Sequence, residues 1–96
     1  MKHKTPVELR QSIFDEIEKE RAYQDTKWGT KFDDANTYND WMSYIGMYLG
    51  DGGKMNNPQK YQRIGLMKAA ALCIAALETF DRNNGFTPRH YDDDGL

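Results

Sequence analysis

Residues 63–80 read RIGLMKAAALCIAALETF, and the fold follows from how this stretch is read. At helical spacing Leu66, Ala70, Cys73, Leu77 and Phe80 form one apolar stripe. Ile64, Met67, Ala71 and Ile74 form a second, and Gly65, Ala69, Leu72 and Ala76 a third. A helix that is apolar on all sides must be covered on all sides. Lys68 interrupts the run and its ends are polar, whereas a membrane span needs about 20 uninterrupted apolar residues. The stretch therefore reads as the central helix of a small globular protein. Its Gly65, Ala69 and Ala76 side has little bulk, which lets another helix approach closely.

Working outward, Thr5-Pro6-Val7-Glu8 combines a Thr N-cap, Pro at the first helical position and Glu three residues after the cap, so a helix starts at Pro6. Val7, Leu9, Ile13, Phe14 and Ile17 give its first half an apolar side, expected to be buried. The second half, through Trp28, is almost entirely polar and is expected to project or to border a site. Gly29 offers a left-handed stop, and GTKFDDANT (29–37) holds enough turn formers to read as a surface loop. Thr37 and Asp40 form a second capping box. The helix they open carries Tyr38, Trp41, Met42, Ile45, Tyr48 and Leu49 on one face, with Tyr44 and Met47 off it. Gly50-Asp51-Gly52-Gly53 ends that helix, Asn57-Pro58 caps the third, and Asn84-Gly85 stops it, with Arg82 well placed against the helix dipole.

The expectation is a single all-α domain over 1–96, with helices at 6–28, 38–50 and 58–83 and tails at 1–4 and 86–96. The second tail is ordered only if something holds Phe86 and Tyr91. Two partner helices can cover only about half of the third, so a homo-oligomer assembled through helix 58–83 is expected.

With 96 residues and a formal charge of −2, the composition gives no reason to expect a protein that coats nucleic acid. Cys73 is the only cysteine and reads as a small core hydrophobe. The absence of a disulfide framework, and a charged start (MKHKTPVEL) that turns helical at once, lead us to expect a reducing cytosol.

Arg21, Gln24 and Trp28 fall on one side of the end of the first helix, just before Asp33-Asp34. An aromatic plane, a guanidinium and an amide beside two carboxylates suit a small polar ligand with a flat ring, such as a nucleotide. Trp28 would stack on a base, and Arg21 and Lys68 would meet phosphate. Asp33 or Asp34 would accept from a ribose or an exocyclic amine, and Arg63 or Lys68 can reach the site from the third helix of the same or a neighbouring subunit. The competing reading is structural: Trp28 seals a core edge and Arg21 pairs with Asp33 or Asp34. Among the carboxylates, Glu16 with Glu20 and Glu78 with Asp81 share helix faces and are the candidate Mg²⁺ ligands if the chain hydrolyses a phosphate bond. A charge run such as DEIEKER is otherwise a solvated face. His3 and His90 lie in the tails, and no histidine pair, cysteine ligand set or phosphate-loop glycine pattern is present.

These residues resemble a set of small phage and prophage proteins with the pattern R-x-x-Q-x-x-x-W, an Asp-Asp-x-x-Thr loop, and a long helix R-x-x-L-x-K-A-A-A-L-x-x-A-x-x-E-x-x-D-R. The matching positions are Arg21, Gln24, Trp28, Asp33, Asp34 and Thr37. In the long helix they are Arg63, Leu66, Lys68 to Leu72, Ala75, Glu78, Asp81 and Arg82. Such proteins look like distant relatives of the MazG-like all-α nucleoside triphosphate pyrophosphohydrolases, which are Mg²⁺-dependent oligomers. The acidic helix of those enzymes corresponds here to Ile45–Asp51, which keeps one carboxylate, and Glu78-Thr79-Phe80-Asp81 follows the apolar run instead of preceding it. The resemblance thus implies a helical oligomer in a host cytoplasm with a nucleotide-sized site and no metal. It could sequester a nucleotide second messenger of host defence. The alternatives are a Mg²⁺-dependent pyrophosphohydrolase and a structural module that binds a host protein.

Overall fold

The computed structural model describes residues 3–52 and 58–88. The described residues form four helices, α1 (Pro6–Lys27), α2 (Gly29–Asp34), α3 (Tyr38–Gly52) and α4 (Gln59–Asn83). Both capping boxes form. Glu8 N–H donates to Thr5 Oγ1 at 3.2 Å while Thr5 N–H donates to Glu8 at 2.9 Å, and the same exchange joins Thr37 and Asp40 at 3.1 and 2.9 Å. At the far end Asn84 adopts the left-handed conformation (φ 56°) and Gly85 N–H donates to the Phe80 carbonyl, closing α4 as its Asn-Gly sequence requires. Pro58 is the N-cap of α4; Asn57, His90 and Tyr91, to which the sequence reading also assigned roles, lie outside the described residues.

α4 is the centre: α1, α2 and α3 all pack on it, and among the described residues α1 and α3 do not pack on each other. α3 runs antiparallel to α4, with Tyr48 near Lys68 at one end and Tyr38 near Phe86 at the other. The core is small. Trp41, Leu72 and Ala75 are buried at its heart, with Trp28, Tyr44, Ile45, Tyr48, Ala76 and Phe86 against them. On α4 the buried positions are Gly65, Ala69, Ala71, Leu72, Ala75 and Thr79, so the helices meet mostly on the low-bulk side.

Several expectations are corrected. The stretch 29–34 is not a loop. Gly29 (φ 82°) breaks α1 and the chain at once re-enters helix, because Phe32 packs on Trp28 (centroids 6.0 Å) and on Tyr44 (5.9 Å) and Asp33 is buried. Tertiary packing here outweighs local turn preference. In α1 the burial is the reverse of that expected: Val7, Leu9 and Phe14 are exposed, whereas Arg21 and Gln24 are buried, because α1 crosses α4 with its C-terminal half. In α3, Tyr44 turns inward onto Phe32, while Met42 and Leu49 are exposed. Cys73 is exposed and not a core residue. With Leu77 and Phe80 it lines an open groove against Tyr38, Trp41, Met42 and Ile45 of α3, while Leu66 and Ile74 are also exposed on α4. Phe86, expected to begin a tail, is held edge-on against Phe80 (5.2 Å) and beside Tyr38 (5.8 Å).

Candidate functional site

Where α2 meets α3, the side chains of Trp28, Phe32, Asp33, Trp41, Tyr44, Met47, Tyr48 and Leu72 enclose a cavity of about 150 Å³ that opens to solvent. Its walls are a direct product of helix periodicity. Trp28 and Phe32 stack across the break at Gly29, and Trp41, Tyr44 and Tyr48 lie at i, i+3 and i+7 on α3. Leu72 supplies the floor from α4. Asp33 is the one acidic residue in this largely apolar lining, and it is only 8% exposed.

Asp33's carboxylate makes no hydrogen bond or ion pair among the described residues. Burial pushes its pKa above the usual aspartate value, opposed mainly by the field of Arg21. Its neighbour Asp34 behaves oppositely. Hydrogen bonds from Arg82 and from Asn83 (2.8 Å) hold the Asp34 carboxyl below its usual range, and Thr87 Oγ1 donates to the Asp34 carbonyl at 2.7 Å, which ties the end of α2 to the end of α4. Two adjacent carboxylates thus divide into a clasp and one that has no hydrogen bond among the described residues.

Of the ligand residues expected from sequence, Trp28 and Asp33 line this cavity; Arg21, Gln24, Asp34, Arg63 and Lys68 do not. Every expected cation is held by a carboxylate. Arg21, 6% exposed, donates through Nε to Glu78 at 2.9 Å and through Nη2 to Asp25 at 2.8 Å. Burial alone would make the guanidinium easier to deprotonate, but the bonds to Glu78 and then Asp25 outweigh it and raise its pKa. Arg63 forks onto both oxygens of Glu16 at 2.9 and 2.8 Å, which lowers the Glu16 pKa. Lys68 reaches Glu20 at 3.4 Å and stands near the rings of Tyr23 and Tyr48. Gln24 Nε2 donates to Glu20 at 3.3 Å and to the Lys68 carbonyl at 3.5 Å, so Gln24 is a clamp between α1 and α4.

The same pairs decide how the candidate metal ligands are disposed. Glu16, Glu20 and Glu78 each face a different cation, Asp81 is exposed, and no three His, Cys, Asp or Glu side chains among the described residues come close enough to hold a metal ion. As paired here, the described carboxylates Glu16, Glu20 and Glu78 are not gathered about one point as a Mg²⁺ centre would require.

Three buried polar atoms among the described residues have no partner: Trp41 Nε1, Gln24 Oε1 and Asn36 Nδ2. Trp41 is also a lining residue of the cavity, but its Nε1 is shielded from solvent there. Sequence reasoning missed Phe32, Tyr44 and Tyr48 as cavity walls. The signal was the Trp28/Phe32 spacing of four combined with the Trp41/Tyr44/Tyr48 stripe, which has meaning only once 29–34 is helical. Comparison with known proteins finds no matching family model, no matching curated protein and no matching solved structure.

Proposed function

We propose that this chain is a non-catalytic binding protein that takes the ring of a nucleotide in the pocket between α2 and α3, and that it works as a homo-oligomer. The observation that carries this reading is the aromatic-walled cavity open to solvent, with Asp33, a residue 8% exposed whose side chain makes no hydrogen bond among the described residues, in its lining. A carboxylate with no protein hydrogen bond keeps its capacity to accept, which suits the N–H groups of a ring bound beside it. Flat walls from Trp28, Tyr44 and Tyr48 suit a flat ring. About 150 Å³ is the space taken by one six-membered ring, so sugar and phosphate would stay at the mouth.

Binding is preferred to hydrolysis because the acidic side chains are already engaged by Arg21, Arg63 and Lys68. The resemblance to small phage proteins supports the further step that the nucleotide is a second messenger held away from its host receptor. The oligomer rests on the outer side of α4, where Leu66 and Leu77 are 61% and 59% exposed on one helix. A second copy supplies the matching apolar surface by symmetry.

A thermal-shift screen over mononucleotides and cyclic dinucleotides tests the reading. Ligand at 100 times its dissociation constant stabilises by about 2.7 kcal/mol, well within detection. If no nucleotide shifts the melting temperature while a host protein co-purifies, the chain is an interaction module. Release of pyrophosphate from nucleoside triphosphates at enzymatic rates with Mg²⁺ would replace binding by hydrolysis.

A further inference from the structure

We infer that two copies of this chain pair face to face through a joint apolar surface of α3 and α4, with their α4 helices antiparallel, to form a four-helix bundle. This rests on the homo-oligomer part of the reading above and names the surface, the direction and the register. On α4, Leu66, Ala70, Cys73, Leu77 and Phe80 follow one another at alternating steps of 4 and 3 residues, the heptad seam of a helix that packs on another helix. On α3, Tyr38, Met42, Ile45 and Leu49 repeat those steps. Within one copy the two seams are neighbours, since Tyr38, Met42 and Ile45 share an open groove with Cys73, Leu77 and Phe80. Neither seam is covered: Tyr38, Met42, Leu49, Leu66, Leu77 and Phe80 are 45–61% exposed.

A second copy is the occupant that the size and symmetry of this surface fit. At those exposures the six side chains leave about 450 Å² of apolar surface open on each copy. Two copies covering each other bury about 900 Å² of it, and at the roughly 65% apolar share of homodimer interfaces the whole contact is about 1,400 Å², inside the range of about 1,200–2,000 Å² for specific, stable ones. Along α4 the sizes at Leu66, Ala70, Cys73 and Leu77 run large, small, small, large, the same in both directions. A two-fold axis crossing α4 between Ala70 and Cys73 therefore sets Leu66 on Leu77 of the second copy and Ala70 on its Cys73. Charge decides against parallel packing, which would also match equal sizes. Helical spacing puts Arg63 and Asp81 on the same flank of the seam. Antiparallel pairing sets Arg63, whose side chain is 57% exposed although bonded to Glu16, against Asp81 of the second copy, which is exposed and makes no ion pair with its own chain among the described residues. Parallel pairing would set each of the two against its like, and only antiparallel helices oppose their dipoles. The α2/α3 cavity is lined from α3 by Tyr44, Met47 and Tyr48, which lie off this seam, so the pairing leaves it open.

The test combines sedimentation equilibrium of the full chain with cysteine crosslinking. Wild type should sediment as a dimer at micromolar concentration. Met42→Glu, on the α3 half of the surface, should raise the dimer dissociation constant about a hundredfold or more, because symmetry places two unpaired charges in each interface. Val7→Glu, at an exposed apolar residue of α1 outside the surface, should leave it unchanged, and circular dichroism should show both variants as helical as wild type. Direction is read in a Cys73→Ala background. Residues 66 and 77 lie about 16 Å apart along one helix, too far for a disulfide within a chain. The double variant Leu66→Cys with Leu77→Cys should therefore give a covalent dimer on mild oxidation, and neither single variant should. A dimer that tolerates Met42→Glu would overturn the joint surface, and a covalent dimer from either single variant, or a double variant that sediments as a dimer without forming the disulfide, would overturn the antiparallel register; each leaves the homo-oligomer standing. Wild type sedimenting as a monomer would overturn both.

Discussion

Arg21 is the residue on which the structural and the ligand-binding accounts of the first helix diverge, and its removal has a calculable effect. The guanidinium is 6% exposed and bonded to Glu78 at 2.9 Å and Asp25 at 2.8 Å, but those partners keep side-chain exposures of 47% and 55%. In Arg21→Ala they would return to water and not be stranded as buried charges, so the loss falls below the roughly 3–5 kcal/mol of a fully buried broken pair. About 1.5 kcal/mol is a fair discounted figure for the ion pairs. The side chain also packs its methylenes between α1 and α4, and losing two of them costs about 1.5 kcal/mol more. A total near 3 kcal/mol lowers the melting temperature of a domain this size by about 15 °C.

Arg21→Met separates the two contributions, because it keeps the apolar stem and removes the charge. It should recover about half of the loss, and added salt should narrow the gap between wild type and Arg21→Met. Urea and thermal denaturation, followed by circular dichroism on the same samples, give the numbers. A melting temperature for Arg21→Ala within about 2 °C of wild type would refute the reasoning. Arg21 would then be available to a ligand after all.

Asp33→Asn should raise the melting temperature at neutral pH. Burial raises the Asp33 pKa, so the folded state is relatively favoured when Asp33 is protonated and loses that advantage as pH rises through the elevated pKa. The gain in the variant should therefore vanish at acid pH, although Arg21, Asp25, Arg82 and Asp34 also act on this carboxylate and Arg21 opposes the shift; a variant less stable than wild type at every pH would show Asp33 to be a structural anchor. Leu77→Glu, at a position 59% exposed, should give a smaller species by sedimentation equilibrium with an unchanged helical spectrum, whereas wild type sedimenting as a monomer at micromolar concentration would remove the oligomer. Gly29→Ala meets no atom within 4 Å but must hold φ near 82°, so a loss of about 1–2 kcal/mol is expected in denaturation, from backbone conformation alone.

The helices and their caps were legible because they depend on local chemistry. Thr5/Glu8, Thr37/Asp40 and Asn84-Gly85 act within a few residues of themselves, and each does what its sequence says. Position 29–34 was illegible for the complementary reason. Gly29, Thr30, Asp33 and Asp34 are poor helix formers, and the contacts that fold them come from Tyr44 on another element and from Arg82, Asn83 and Thr87 at the far end of the chain. Burial along α1 misled for a related cause. Apolar content suggested Val7, Leu9 and Phe14 as the buried part, but what α4 offers to that helix is a row of charged partners, Arg63, Lys68 and Glu78, which pair with Glu16, Glu20 and Arg21.

That row also explains why the candidate site moved. Sequence reasoning gathered Arg21, Gln24 and Trp28 because they share the end of one helix, and helical spacing does place Arg21 and Gln24 on a common buried face. The face looks toward α4, where Glu78 and the Lys68 carbonyl consume the polar groups, and only Trp28, beyond the last turn of α1, is turned toward α3. A cation with two carboxylates at hydrogen-bond distance has little free energy left for a phosphate, since binding one must first break those bonds. Asp33 has no such prior commitment. Burial disfavours the Asp33 carboxylate and the field of Arg21 offsets only part of that, so a donor from outside would be gained without first breaking a hydrogen bond, and for that reason we propose Asp33 and its aromatic neighbours, and not Arg21, as the recognition surface.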